Sequence, residues 1–552
     1  MKKARSARLP GLVFIVAVVC GGWFLQSDIG SGSNMYFHAR VLDEVIRHIE
    51  NDFVEEVDVD ELYELAINGL VGQLEDPNSR FLPATAWEEE RIRTQGDYAG
   101  VGIEVINLDG FITVSAPIPE TPAARAGMRP GDRIVEVDGE SVEGWVHDQA
   151  VELLRGRPGT SVRIGVRRPG VERVITFEVT RALIHVPSVP FAAMLEGGVG
   201  YIPLLIFNRT TTREVRAAID SLAAEGMTSL ILDLRSNRGG LLTEGVALTD
   251  LFLDRGKPIV EIRSRSAEPE AFVAMREHVY PELPVVVLVE GISASAAEIV
   301  AGALQDHDRA LLIGAATYGK GSVQSLFELP GGNVLRLTTA RWFTPAGRSI
   351  ERDGNAGTAL LGHAPITVQG HPAERPDLGD KPRFTSAGGR LLHGGGGIVP
   401  DLWVLQDTLT SGERAALDEI LASANGFFAA LQNWAVNYLG EHPDLEPGFV
   451  VTDADLESFH AALQERGGEV SLETFMSARN TLAFRLGSEV ALLAWDDLGR
   501  FRRTRGDDAQ LGRALELLLA AENQAELFAL AGSPLAATAP AQGAPGSGDG
   551  PR

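Results

Sequence analysis

The chain is poor in positive charge and nearly free of cysteine. Of its 552 residues, 49 are Lys or Arg against 75 Asp or Glu, for a formal net charge of −26. Nucleic acids and anionic lipid are held by clustered Lys and Arg, so this balance disfavours a general role on either. The acidity serves solubility. Cys20 is the single cysteine, which excludes a disulfide framework and a thiolate metal site. It lies in an apolar run and reads as a small apolar residue, since Ala17-Val18-Val19 lack the small residue that precedes a lipidated cysteine. Lysine is scarce as well, occurring only at positions 2, 3, 257, 320 and 381.

What the chain does have begins with "MKKARSARLPGLVFIVAVVCGGWFLQSDIG", a basic start followed by an uncharged run to Leu25. That is the pattern of an export signal. The run falls between a cleaved signal and a spanning helix of ~20 residues, and no Ala-x-Ala cleavage site stands out. Residues 1–30 are therefore expected to be a signal peptide or an inner-membrane anchor. The rest is expected to be periplasmic or otherwise extracytoplasmic.

The length is too great for one core and implies three or four units. Residues 34–92 show helical apolar spacing ended by "DPNS". Residues 93–182 change to short β-rich runs such as "VGIEVI" and "DRIVEVDG", punctuated by Gly and Pro. From 183 to 405 strand, glycine turn and helix alternate: "SLILDLR" leads to "SNRGG" and a helix, then "PVVVLVE" to "GISAS" and a helix, then "RALLIG". Continuous β-branched runs between helices imply parallel strands covered on both faces. "SVQSLFELPGGNVLRLTTARWF" reads as a hairpin turning at "PGGN", and residues 353–397 read as a polar, Gly-rich insertion. Residues 406–530 are helical with no concentrated chemistry, a region for packing, self-association or adaptor binding. Residues 531–552 are too poor in apolar side chains to fold.

The chemistry concentrates in "VEGISASAAEIVAGALQDHDRALLIGAATYGKGSVQ". If "VVVLVE" and "ALLIG" are parallel strands joined by the helix at 296–306, Ser295 and Lys320 sit on neighbouring turns at one sheet edge. A lysine can become a neutral base when buried, whereas arginine cannot, so a site needing an amine base must use Lys. Lowering a lysine from about 10.4 to near 7.5 costs roughly 4 kcal/mol, which burial away from carboxylates supplies. The competing reading is a lysine on an exposed loop. Ser295 at a strand-to-helix turn places the Ala296 amide at a helix N-terminus, where a free N–H can stabilise an oxyanion. A second donor can come from Gly239 or Gly240 in "RSNRGG". Either turn alone would be an ordinary glycine turn. A trypsin-like Gly-x-Ser-Gly-Gly fails because Arg238 stands at the serine position, and "ISASA" lacks both glycines of Gly-x-Ser-x-Gly.

These residues resemble the carboxyl-terminal processing peptidases, or tail-specific proteases, over about residues 36–405. The match to "SASAAEIVAGALQDHDRALLIGAATYGKGSVQ" implies Ser295 as nucleophile, Lys320 as general base and Gln324 as the residue that orients the lysine. "LDLRSNRGGLL" implies that a glycine of the 239–240 pair joins Ala296 in the oxyanion hole. Ala297 stands where the family often has a third serine. "YAGVGIEV" and "TPAARAGMRPGDRIVEVDG" resemble the PDZ domain of these enzymes, whose Gly100, Val101, Gly102 and Ile103 would form a nest for a substrate's C-terminal carboxylate. Arg155 is the candidate for coupling that domain to the active site, against a plain reading as a solvated helix-end charge. The implied whole is multidomain α+β: a helical N-terminal region, a PDZ module, a crotonase-like α/β protease core and a C-terminal helical region. Its substrates would be unfolded or tagged protein C-termini, with no metal or other cofactor. The rival is an inactive PDZ scaffold that binds C-termini.

Overall fold

The computed structural model describes residues 35–352 and 378–532, apart from 109, 143, 146, 407–408 and 424–425. The expected signal or anchor, Cys20, most of the tail and residues 353–377 of the insertion lie outside the described residues. Among the described residues no helix is long and apolar enough to cross a membrane.

Residues 35–83 together with 326–337 form one compact unit. Helix Met35–Asp52 is followed by helix Val59–Gly72, whose N-cap Asp58 accepts from the amides of Asp60 and Glu61. Strand Arg80–Leu82 pairs antiparallel with residues 334–336.

The second unit holds the remainder. Its β-rich module runs from strand Asp97–Gly100 to strand Ala182–His185, which pair antiparallel. A further antiparallel sheet, built mainly of Ile103–Leu108, Phe111–Pro117, Arg133–Val137, Ser161–Arg167 and Ile175–Thr180, closes on helix His147–Leu154 around Ile112, Val114, Ile134 and Ile164. The central sheet comes next. Its strands in chain order are β1 (Ala193–Met194), β2 (Val199–Pro203), β3 (Ser229–Asp233), β4 (Val285–Val289), β5 (Leu311–Gly314) and β6 (Leu402–Trp403). Spatial order follows chain order. β1 is antiparallel to β2, and β2 to β6 are parallel. Each of β2 to β5 is buried along its whole length, as strands covered on both faces require.

The two covers have different origins. One face carries helices α1 (Thr211–Ala224), α2 (Leu242–Thr249) and α3 (Ala296–Asp306), packed with Ile202, Leu232, Val287 and Leu312. The other is covered from the far end of the chain by α4 (Ala509–Ala520) and α5 (Gln524–Ala531), whose Leu511, Leu517, Leu518 and Leu527 pack on Ile231, Val286, Leu288 and Ile313. The last helices are thus a layer of the core, while residues 411–493 build a cluster of their own around Trp434, Phe459, Phe475 and Leu486. Leu517→Ala should accordingly cost about 2–5 kcal/mol, the usual range for a buried leucine, measured by urea unfolding. A helix serving only self-association would lose almost nothing in the monomer.

The hairpin read at "PGGN" is present as strands Ser322–Glu328 and Val334–Phe343. Leu329 donates to the Asn333 carbonyl across the turn, where Gly331 and Gly332 have φ of 78° and 80°. The described part of the insertion, 378–397, contains a small hairpin of Arg383–Thr385 with Leu391–His393.

Candidate active site

Parallel pairing of β4 with β5, joined by α3, brings two turns to the same edge of the sheet, and a third follows β3. Ser295 lies on the turn after β4 as the N-cap of α3, with φ 55° and ψ −114°. That conformation is rare for a residue with a Cβ, and such strain of about 1–3 kcal/mol persists where the surroundings over-determine the backbone. Ala296, the first helical residue, is fully buried, and its N–H has no intrahelical acceptor.

The turn after β3 is laced to the serine turn. Ala294 donates to the Asn237 carbonyl, Ser293 Oγ donates to the Leu234 carbonyl, and Glu290 accepts from the Ser236 amide at 2.6 Å. The two glycines of this turn are placed differently. A Cβ on Gly239 would lie 2.7 Å from Ser295 Cβ and 3.1 Å from the Ala296 nitrogen, so Gly239 faces the serine. A Cβ on Gly240 would lie 2.1 Å from the Phe207 carbonyl oxygen, so Gly240 serves close backbone packing. The Gly239 N–H donates to Asn237 Oδ1 at 2.8 Å.

Lys320 is half-buried on the loop after β5, and the group that fixes this loop is Glu298 in the first turn of α3. Its carboxylate is fully buried and accepts four hydrogen bonds: Oε1 from Thr317 Oγ1 (2.5 Å) and the Gly319 amide (2.7 Å), Oε2 from the amides of Ser295 (2.8 Å) and Lys320 (2.9 Å). Burial pushes this carboxyl above the usual carboxylate range, with the four donors pulling against it. One side chain thus ties the serine backbone to the lysine backbone. Outside the loop, the Trp342 indole donates to the Lys320 carbonyl. The "GGGG" run also backs it: Thr317 donates to the Ile398 carbonyl, and Arg352, on the loop's outer side, donates to the carbonyls of Thr317 and Gly396. Gln324 lies on the strand after the loop, where its amide nitrogen donates to Ser322 and Thr338.

In the β-rich module, Gly100 ends one strand, Val101 and Gly102 link it to the next, and Ile103 opens that strand. The carbonyls of Val101 and Gly102 are used inward, accepting from Ala123, Ile118 and Thr121. Arg155, just past helix His147–Leu154, sits with Cζ 5.9 Å from the Tyr98 ring centroid. Burial pushes the Tyr98 hydroxyl up to about 12, with Arg155 opposing.

Sequence reasoning had left out Glu298 and Asn237. The Ser-x-x-Glu spacing of a capping box was the available signal for Glu298. Among the described residues no group of three or more His, Cys, Asp or Glu side chains could hold a metal.

Three family models match parts of the chain. Residues 31–86 match the activating protease CtpB N-terminal domain, 113–168 a PDZ domain and 198–358 peptidase family S41. The fold and these matches define a PDZ-containing peptidase. The carboxy-terminal-processing protease of Bartonella bacilliformis is 38% identical over 326 residues, which cover 58% of this chain and 74% of that protein. The carboxy-terminal processing protease CtpA of Bacillus subtilis is 36% identical over 360 residues, covering 63% and 76%. The chain belongs to the carboxy-terminal processing proteases of peptidase family S41. Among solved structures, the photosystem II D1 C-terminal processing protease is 30% identical, covering 56% of this chain and 90% of its own, with a TM-score of 0.33. The PDZ domain of a carboxy-terminal protease from Vibrio cholerae in complex with peptide is 27% identical, covering 16% and 98%, with a TM-score of 0.16. Both scores are too low to carry a fold argument.

Proposed function

We propose that the protein cleaves polypeptides by a Ser-Lys mechanism after capturing their C-termini in the PDZ module. The observation that carries the reading is the Glu298 carboxylate, which joins the backbones of Ser295, Gly319 and Lys320. Besides capping α3, this brace fixes the serine backbone relative to the lysine backbone, the relation a Ser-Lys pair needs. Lys320 Nζ, as the neutral amine, takes the Ser295 Oγ proton as Oγ attacks the scissile carbonyl. The resulting oxyanion is held by the N–H groups of Ala296 and Gly239, the latter turning from Asn237 Oδ1 toward the substrate. Collapse breaks the C–N bond and Lys320 returns the proton to the leaving amine. Water then attacks the acyl carbonyl as the same amine takes its proton, and Lys320 passes that proton to Ser295 Oγ as the ester C–O bond breaks, which releases the acyl group as a carboxylic acid and restores both residues. Gln324, held through its amide nitrogen, offers its carbonyl oxygen to steady the lysine. Gly100 to Ile103 bind the C-terminal carboxylate through backbone N–H groups, and Arg155 couples that event to the core.

We further place the enzyme outside the cytoplasm, held or exported by residues 1–30 on the strength of their basic start and apolar run. A noncatalytic scaffold is not favoured, since the residues of the peptidase reading are all present.

Two measurements test the reading. A fluorophosphonate should add covalently to the tryptic peptide containing Ser295, read by mass spectrometry. An adduct elsewhere, or none, would sink the Ser-Lys assignment. A peptide with a free apolar C-terminus should be cleaved about tenfold faster in kcat/KM than its C-terminal amide, because hydrogen bonds to a charged group contribute roughly 1.5–3 kcal/mol. Equal rates would remove carboxylate capture.

A further inference from the structure

The turn that carries Asn237 and Gly239 starts at Arg235, and what grips Arg235 comes from the other end of the chain. Its Nε and Nη2 reach the Asp233 carboxylate at the end of β3, with Nη2 at 2.6 Å. Its Nη1 donates to Asp508 Oδ1 at 3.0 Å and its Nη2 lies 2.8 Å from Asp508 Oδ2. Asp508 is the N-cap of α4. It accepts from the Leu511 amide at 3.0 Å and from Gln406 Nε2 at 2.8 Å, so its carboxylate is itself held in place.

We propose that Asp508 is a positioning residue for the oxyanion turn, acting through Arg235, so that the C-terminal helices complete the catalytic site. The inference rests on the reading of Gly239 as an oxyanion donor. Two further observations support it. A cavity of about 520 Å³ lies along this side of the turn, lined by Arg235, Ser236 and Glu290 and, from the helical region, by Phe501 and Arg485. Close packing is therefore missing where the ion pair spans the gap. Ser236, next to Arg235, has φ 60°, a strained position that holds only if both ends are fixed. Its far end is fixed through Asn237 and Ala294 to the serine turn; on the near side Glu290 accepts from its amide, and Arg235 is held by Asp233 and Asp508 together. The carboxylate and guanidinium are mostly shielded from water, where a bidentate pair has directional strength and a lone charge is costly. Burial opposes the charge on Arg235, and Asp233 with Asp508 more than offset it.

The test uses the full chain with Asp508→Asn, Asp508→Glu and Leu517→Ala. Asp508→Asn should lower kcat about tenfold or more with KM little changed, because loosening a turn by an ångström disturbs the reacting geometry. Labelling of Ser295 by a fluorophosphonate should slow in parallel. Asp508→Glu, which keeps the charge, should fall between Asn and wild type. Leu517→Ala destabilises the same helix without touching the pair, and should keep kcat within about twofold at a temperature where it is folded. Wild-type kcat in both Asp508 variants would overturn the proposal. So would a loss in Leu517→Ala equal to that in Asp508→Asn at matched melting temperature, since the role would then be structural only. Absence of Ser295 labelling in the wild type overturns instead the peptidase reading beneath it.

Discussion

Lys320→Arg should fold normally and hydrolyse no unfolded polypeptide, and Ser295→Ala should behave the same way. Arg keeps the positive charge and the length of the side chain but cannot give up a proton in a protein, so it cannot act as the amine base. The loop's attachments to Glu298 and Trp342 run through the Lys320 amide and carbonyl, which the substitution leaves intact. Fold and activity should therefore separate. Loss of the nucleophile or its base in enzymes where the two act as a unit costs at least about 1,000-fold in kcat. Far-UV dichroism and melting temperature should match wild type while hydrolysis falls below detection. In wild type the rate should rise with pH until the amine is neutral and then level. An Arg variant with substantial activity removes Lys320 from the mechanism, and the Ser295→Ala variant would then show whether the serine still acts.

Much of the peptidase core was legible because its signals are local. β4 and β5 are short apolar runs ended by glycine turns, α3 follows a serine at its N-cap, and right-handed parallel connection puts both turns at one edge. The hairpin announced itself through two glycines in the left-handed region. What stayed hidden depends on distance in the chain. "AQLGRALELLLA" shows an apolar stripe but nothing in it names β3 and β4 as the surface it covers. Asp508 reads as an ordinary N-cap, and its pairing with Arg235 spans 273 positions. The "GGGG" run before Ile398 falls at the end of the Gly-rich insertion and does not name its partner; Gly397 can approach Thr317 so closely only because it lacks a Cβ, which would lie 2.2 Å from the Thr317 oxygen. Glu298, three residues after Ser295, has the spacing of a capping carboxylate and does cap α3. Its second task, on Gly319 and Lys320, follows only from the fold.

Glu298→Gln should lower activity about 100-fold while costing only about 1–3 kcal/mol of stability. The carboxylate meets four donors with two oxygens, so an amide nitrogen at either position faces groups that had been donating to oxygen. The least costly arrangement points the amide nitrogen at Thr317 and Gly319, since the Thr317 hydroxyl can turn and accept. That leaves the Gly319 N–H buried without an acceptor, at a cost of about 1–3 kcal/mol. The Gly319–Lys320 segment then moves away from the helix, and an ångström at the base costs about 100-fold in rate. The pH dependence separates this role from general stabilisation. Burial raises the Glu298 carboxyl in the folded protein above the 4.5 of an unperturbed glutamate. Between those two values the native chain binds a proton that the unfolded chain does not, so this residue's contribution to stability declines as pH rises through that window. Activity should run the other way, because a proton on either oxygen displaces one of its donors. Wild type should therefore lose activity in acid above the usual carboxylate range while its stability relative to Glu298→Gln increases. Denaturant unfolding and peptide hydrolysis, measured on both proteins across pH, should give slopes of opposite sign. Parallel slopes would reduce Glu298 to a structural cap.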